Sequence, residues 1–116
     1  MLLERMSLKI AVLITALSIA SSVPAQTAVK IHDILRTPSE YNEHDVAVFG
    51  HVRELTFAAH YTTFKICGAH CLNVLAWGHP RIANGQPLNV RGRFHMLKEI
   101  DHRKLHNLIE VEHGTL

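Results

Sequence analysis

The segment VFGHV at residues 48–52 returns 42 positions later as VRGRF at residues 90–94, so both have the pattern V-x-G-x-apolar. Apolar residues alternate along each segment, which is typical of a β-strand with one buried face. Gly50 and Gly92 lie mid-strand, where glycine weakens a strand unless the backbone must bend or bulge. Strands of a small closed barrel need such bends. The repeat therefore favours a small barrel, while two unrelated strand glycines remain the alternative.

Alternation and turn residues around these two segments predict five strands in all. The expected strands are residues 46–55, 62–67, 71–77, 88–94 and 108–112. The second and third are separated by Gly68-Ala69-His70, a three-residue link containing glycine that predicts a β-hairpin. Residues 78–87 contain two prolines and two glycines, so we expect a loop rather than a helix between the third and fourth strands.

The N-terminal region divides into a leader and a short helix. Residues 1–25 have a basic start, an apolar run at residues 10–20 and small residues at 23–25, which predicts a cleavable signal peptide. The apolar run is about half of the ~20 residues needed to span a bilayer, so a membrane helix is the weaker alternative. Ile31, Ile34 and Leu35 then form a helical stripe that Pro38 ends. We expect one domain at residues 26–116, with at most one short helix.

The composition argues against several classes of function but does not by itself assign one. The formal net charge is only +2 and does not point to a polyanion, although ten histidines would make the chain more cationic in mild acid. After the leader the only serine is Ser39, and the chain has neither a G-x-S-x-G elbow nor a phosphate-cradling glycine loop. We therefore expect a protein that is not an enzyme. A thiol of Cys67 or Cys71 beside a histidine is a conceivable nucleophile only if the two are not joined in a disulfide.

The order of these strand patterns resembles a known family. A V-x-V-x-G-x-V strand, an F-x-I strand returning as L-x-V, the segment G-x-P-L-x-V-x-G-x-F and a closing strand follow one another over residues 46–111. This order resembles small exported bacterial OB-fold proteins and the anticodon-binding-like OB domains. The resemblance implies an all-β, five-stranded Greek-key barrel and, from the second group, single-stranded nucleic acid as a ligand. The chain departs from many OB folds in having a loop of about ten residues, not a helix, between the third and fourth strands.

OB barrels bind ligands across the outer face of their second and third strands, on aromatic and basic side chains. The predicted alternation places such side chains on that face and on its flanks. The expected ligand-binding residues are Arg53, Tyr61, Lys65, Asn73, Trp77, Arg91 and Arg93. Aromatic rings would stack on bases and basic groups would contact phosphates. The alternative is structural, with Trp77 anchoring a loop and the exposed cations keeping strand edges soluble.

Cys67 and Cys71 flank the hairpin turn and can lie opposite each other. Export favours their oxidation, so a disulfide is the leading prediction and no cofactor is expected. The alternatives are free thiols or a zinc or copper site made by His60, Cys67, His70 and Cys71, with His79 as a substitute for His60. A weaker metal pair, His102 and His106, would require that segment to be helical.

The resulting functional prediction is an exported, periplasmic or secreted binding module for an oligonucleotide or another anionic oligomer. An oligosaccharide, a peptide or a protein partner would fit the same face. The alternatives are periplasmic metal handling through the hairpin cysteines and the histidines, and a structural or stress-related envelope component.

Overall fold

The computed structural model describes residues 28–116, so the predicted signal peptide at residues 1–25 lies outside the described residues. Two short helices precede five strands. The elements are α1 (Ile31–Arg36), α2 (Pro38–Tyr41), β1 (Asp45–Phe57), β2 (Tyr61–Cys67), β3 (Cys71–Trp77), β4 (Pro87–Ile100) and β5 (Arg103–Val111). Within this part of the chain, no helix has the length and apolar character needed to cross a membrane.

The five strands form one closed ring in the order β1-β2-β3-β5-β4, with β4 pairing back to β1. Every pairing is antiparallel except that of β3 with β5. Alternate residues of all five strands fill the interior, among them Val48, Phe64, Val74, Phe94 and Ile109. The predicted phase of the first four strands is thereby confirmed, because hydrophobic burial selects one face of each strand.

Two expectations about the elements are wrong. The chain has two helical turns instead of at most one, because Pro38, which ends α1, also suits the first position of a helix and begins α2. In addition, β4 continues past residue 94 to Ile100 and β5 begins at Arg103, well before residue 108. Alternation of apolar residues does not predict these extensions, because the C-terminal part of β4 and the N-terminal part of β5 are largely exposed. Leu97, for example, is 52% exposed.

Steric contacts explain why glycine stands at both mid-strand positions of the sequence repeat, Gly50 and Gly92. A Cβ atom on Gly50 would lie 2.8 Å from the carbonyl oxygen of Cys67 on β2, and one on Gly92 would overlap the carbonyl oxygen of Glu110 on β5. The two positions therefore let neighbouring strands approach closely, which is a different role from the bend or bulge that the sequence repeat predicts.

Candidate ligand-binding cleft

The β4–β5 hairpin leans over the outer face of β2 and β3 and forms one wall of a cleft. At its tip, the Tyr61 hydroxyl donates a hydrogen bond of 2.6 Å to Asp101 Oδ2. Farther along, Asn73 Nδ2 donates one of 2.7 Å to the carbonyl oxygen of His106. The cleft has a volume of about 200 Å³. Its polar lining consists of Glu54, Thr56, Thr63, Lys65, Asn73 and Arg103.

A bulge in β1 forms the opposite wall. Arg53 pairs with Lys65 and Thr56 with Thr63, so β1 has one residue more than β2 in this interval. The bulge is accommodated at Glu54, which has a φ of 53°. The Glu54 carboxylate lies 3.2 Å from Lys65 Nζ. Both side chains are substantially exposed, so this ion pair contributes at most ~1 kcal/mol. Lys65 therefore remains available to an anionic ligand.

Tyr61 and Trp77 do not line the cleft; they are cross-strand partners on β2 and β3, with ring centroids 5.7 Å apart in an edge-to-face arrangement. The Trp77 indole N–H donates a hydrogen bond of 2.8 Å to Glu110. The hydrogen bond to Asp101, reinforced by burial and the Asp101 charge, raises the pKa of Tyr61. Both rings keep partial exposure, but their polar atoms already have partners within the protein.

A network centred on His95 stabilises the Trp77 end. His95 is buried, with Nδ1 2.6 Å from Glu43 and Nε2 2.8 Å from Glu110, while Lys98 Nζ lies 3.4 Å from the same Glu110 oxygen. Burial raises the pKa of Glu110, but hydrogen bonds from Trp77 and His95 and the nearby Lys98 charge outweigh it and hold that pKa below its usual value. The network ties the turn before β1 to β4, β5 and β3.

Arg53 lies opposite Lys65 on the outer face, but Arg91 and Arg93 lie elsewhere. They line a second cavity of about 600 Å³ together with three carboxylate residues, and Arg93 Nε is 3.4 Å from Asp45. The structure does not bring these two arginines to the β2–β3 cleft, because β4 lies between β1 and β5 in the ring and its outer face points elsewhere.

Sequence reasoning missed several cleft residues. Arg103 falls between the expected strands at residues 88–94 and 108–112, whereas the structure has it in β5, where it lines the cleft with Lys65. Thr56 and Glu54 depend on the bulge, which shifts the strand register by one residue.

The predicted disulfide between Cys67 and Cys71 is present, so both sulfur atoms are bonded to each other. His60 precedes β2 and lies at the end of that strand away from Cys67, so the structure does not bring the alternative metal ligands together. His102 lies in a turn and His106 in β5, which is not the helix that their pairing requires. Among residues 28–116, no group of three or more His, Cys, Asp or Glu side chains is arranged to hold a metal.

Comparison with known proteins gives a structural likeness only. No protein-family model and no curated protein sequence matches this chain. Among 41 similar solved chains is one assigned as an aspartyl-tRNA synthetase from Leishmania major Friedlin, with a TM-score of 0.57 and 12% identity. The likeness covers 79% of this chain but only 20% of that one. It concerns the fold, over about a fifth of the longer protein.

Proposed function

We propose that this chain is an exported OB-fold binding module that holds an anionic oligomer, with single-stranded nucleic acid as the leading class, in the β2–β3 cleft. The observation that carries the proposal is the position of the cleft. Lys65, Asn73 and Arg103 line a groove between the outer face of β2–β3 and the β4–β5 hairpin. Oligonucleotides and oligosaccharides bind at this place in OB folds.

The strand order supports the OB-fold assignment. Five strands close in the order β1-β2-β3-β5-β4 with β3 and β5 parallel, which suits a small Greek-key barrel. The solved chain described above is assigned as a tRNA synthetase, an enzyme class that handles RNA, and this is compatible with a nucleic-acid ligand. A short N-terminal helical segment contributes Ile31 and Ile34 to the core.

The cleft offers three kinds of contact to such a ligand. Lys65 and Arg103 in the lining supply positive charge for phosphates or carboxylates, and Arg53, the cross-strand partner of Lys65 outside the lining, adds a third cation. Asn73 and the threonine hydroxyls supply hydrogen bonds, and the partly exposed rings of Tyr61 and Trp77 extend the surface for stacking. Glu54 opposes a polyanion, so we expect moderate affinity.

Export is part of the proposal and rests on two features. The leader predicts secretion, and the Cys67–Cys71 disulfide is compatible with an oxidising compartment. Acidic oligosaccharides are present outside cells as well as nucleic acid, so the test includes both ligands.

The test is fluorescence anisotropy of a labelled ten-nucleotide oligothymidylate with the oxidised full chain between 20 and 200 mM salt. Three phosphate contacts predict a slope of about −2 for log K against log salt, since each contact on a single strand contributes about −0.7. Lys65→Ala and Arg103→Ala should each weaken binding and reduce the slope by one contact. Arg81→Ala removes an exposed loop cation outside the cleft and should leave binding unchanged.

A second comparison separates the two cavities. Arg93→Ala removes a cation from the larger cavity, so it should leave oligonucleotide binding intact. If Arg93→Ala weakens binding and Lys65→Ala does not, the ligand lies on β4 and the cleft assignment is wrong. An acidic oligosaccharide that displaces the oligonucleotide would identify the shared anionic chemistry. No salt-dependent binding of either ligand would leave a structural envelope role.

A further inference from the structure

A row of three side chains crosses the outer face at the end of the β2–β3 hairpin away from Tyr61 and Trp77. His51 on β1 is the direct partner of Cys67 on β2, which is in turn the partner of Cys71 on β3. Directly paired residues point to the same face of a sheet, so the imidazole and both sulfurs lie on one side. Cys67, in the middle, is buried at 4%, whereas His51 and Cys71 are exposed.

Cys71 is exposed, although α1 lies near this end of the hairpin, where His32 stacks on His70 with ring centroids 5.4 Å apart. In the described part of the chain, β5 pairs with β3 only from Asn73 to Ala76 and does not reach Cys71. A thiolate that attacks a disulfide must approach along the sulfur–sulfur axis, from the side opposite the leaving sulfur. No strand of the described chain pairs with Cys71 on that side, whereas β1 pairs with Cys67 on the corresponding side, so Cys71 is the more accessible of the two sulfurs.

We propose that Cys67–Cys71 is a redox-active disulfide that exchanges with the cysteine thiols of peptides. The peptide thiolate attacks Cys71 Sγ and forms a mixed disulfide. The Cys67–Cys71 bond breaks, and its electron pair stays on Cys67 Sγ, which then takes up a proton. A second peptide thiolate attacks the same peptide sulfur, forms a peptide disulfide and releases Cys71. The protein disulfide is reduced and two peptide thiols are oxidised to one disulfide.

His51 is the positioning residue for this exchange. His51 is the cross-strand partner of Cys67, and a positive charge at that position favours the thiolate that leaves. Phe49 lies two residues before His51 on the same face, is 55% exposed, and has its ring centroid 6.0 Å from the imidazole. An apolar side chain at this position provides a contact for a peptide. The inference is independent of ligand binding in the cleft, which lies at other residues.

The first test uses reduced glutathione, a cysteine-containing tripeptide, with the oxidised full chain. Samples quenched with acid, alkylated and mapped by mass spectrometry should carry glutathione on Cys71 and a free thiol on Cys67. The native disulfide should react at least as fast as the same disulfide in the urea-unfolded chain. Glutathione found mainly on Cys67, or a native rate more than about tenfold below the unfolded rate, would overturn the proposal.

The second test asks whether charge at position 51 acts on the exchange. His51→Gln should slow glutathione attack about threefold to tenfold, whereas His51→Lys keeps a cation and should retain most of the rate. His60→Gln, an exposed histidine at the other end of β2, should react like the unaltered chain. Equal rates for the glutamine and lysine variants at position 51 would contradict the role of His51, because a purely structural side chain would not distinguish them.

Discussion

The two ends of the β2–β3 hairpin are stabilised in different ways. At one end, Tyr61 and Trp77 are held by side chains of the β4–β5 hairpin, through Asp101 and Glu110. At the other end, Cys67 and Cys71 are joined covalently, and β5 does not reach Cys71. The hydrogen-bonded end is therefore held by the β4–β5 hairpin, while the disulfide end is held by the covalent bond and leaves Cys71 exposed. The position of β5, more than the composition of the hairpin, makes this difference.

The largest difference in stability is expected when a methyl group is added near each end of the β2–β3 hairpin. Gly92→Ala would drive a Cβ into the carbonyl oxygen of Glu110, so β4 and β5 must separate and stability should fall by about 3 kcal/mol. Gly68→Ala, in the hairpin turn, meets nothing within 4 Å and should change stability by less than ~0.5 kcal/mol. Urea unfolding of both variants measures this. Similar losses in the two would mean that the ends are equally tightly packed.

A smaller effect is expected for Glu110→Gln, which weakens the charge-assisted bonds to Trp77 and His95 and should lower stability by about 2 kcal/mol at pH 7. The folded-state pKa of Glu110 is depressed, so its contribution is full above the unfolded pKa and is lost as pH falls through the folded pKa. Between pH 7 and pH 3 the variant should therefore lose less stability than the unaltered chain. Glu112→Gln, an exposed carboxylate two residues on, is the control. Parallel pH curves would contradict the assignment.

Asn73→Ala tests the contact that holds the hairpin over the cleft. Loss of its hydrogen bond to the His106 carbonyl should lower stability by about 1 kcal/mol and speed amide hydrogen exchange near residues 103–106. Asn89→Ala, on exposed β4, should do neither. Unchanged exchange in the Asn73 variant would show that β5 stays over β3 without this bond.

The sequence was informative where one face of a strand is buried and uninformative where contacts depend on distant residues. Alternation placed β1 to β3 closely and put Lys65 and Asn73 on the outer face, because an interior of Val, Ile and Phe permits one phase. Apolar alternation is weak in the exposed β4–β5 hairpin, so the sequence does not predict that Arg103 lines the cleft. The His95 network could not be predicted from the sequence, since Glu43 lies 52 residues along the chain from its imidazole partner.

The smallest expected effect is a shift in the titration of one phenol. In a Tyr41→Phe chain, Tyr61 is the only tyrosine left, and its ionisation, followed by ultraviolet absorbance, should occur above pH 10 because its hydroxyl donates to Asp101. A raised folded-state pKa means that this bond stabilises the fold below the unfolded pKa and that the contribution is lost as pH rises through the folded pKa. Adding Asp101→Asn should bring the titration back toward its ordinary value. An unchanged midpoint after that second substitution would mean that the tip of the β4–β5 hairpin does not hold Tyr61 in solution, and that the hydrogen-bonded end of the β2–β3 hairpin depends on Glu110 alone.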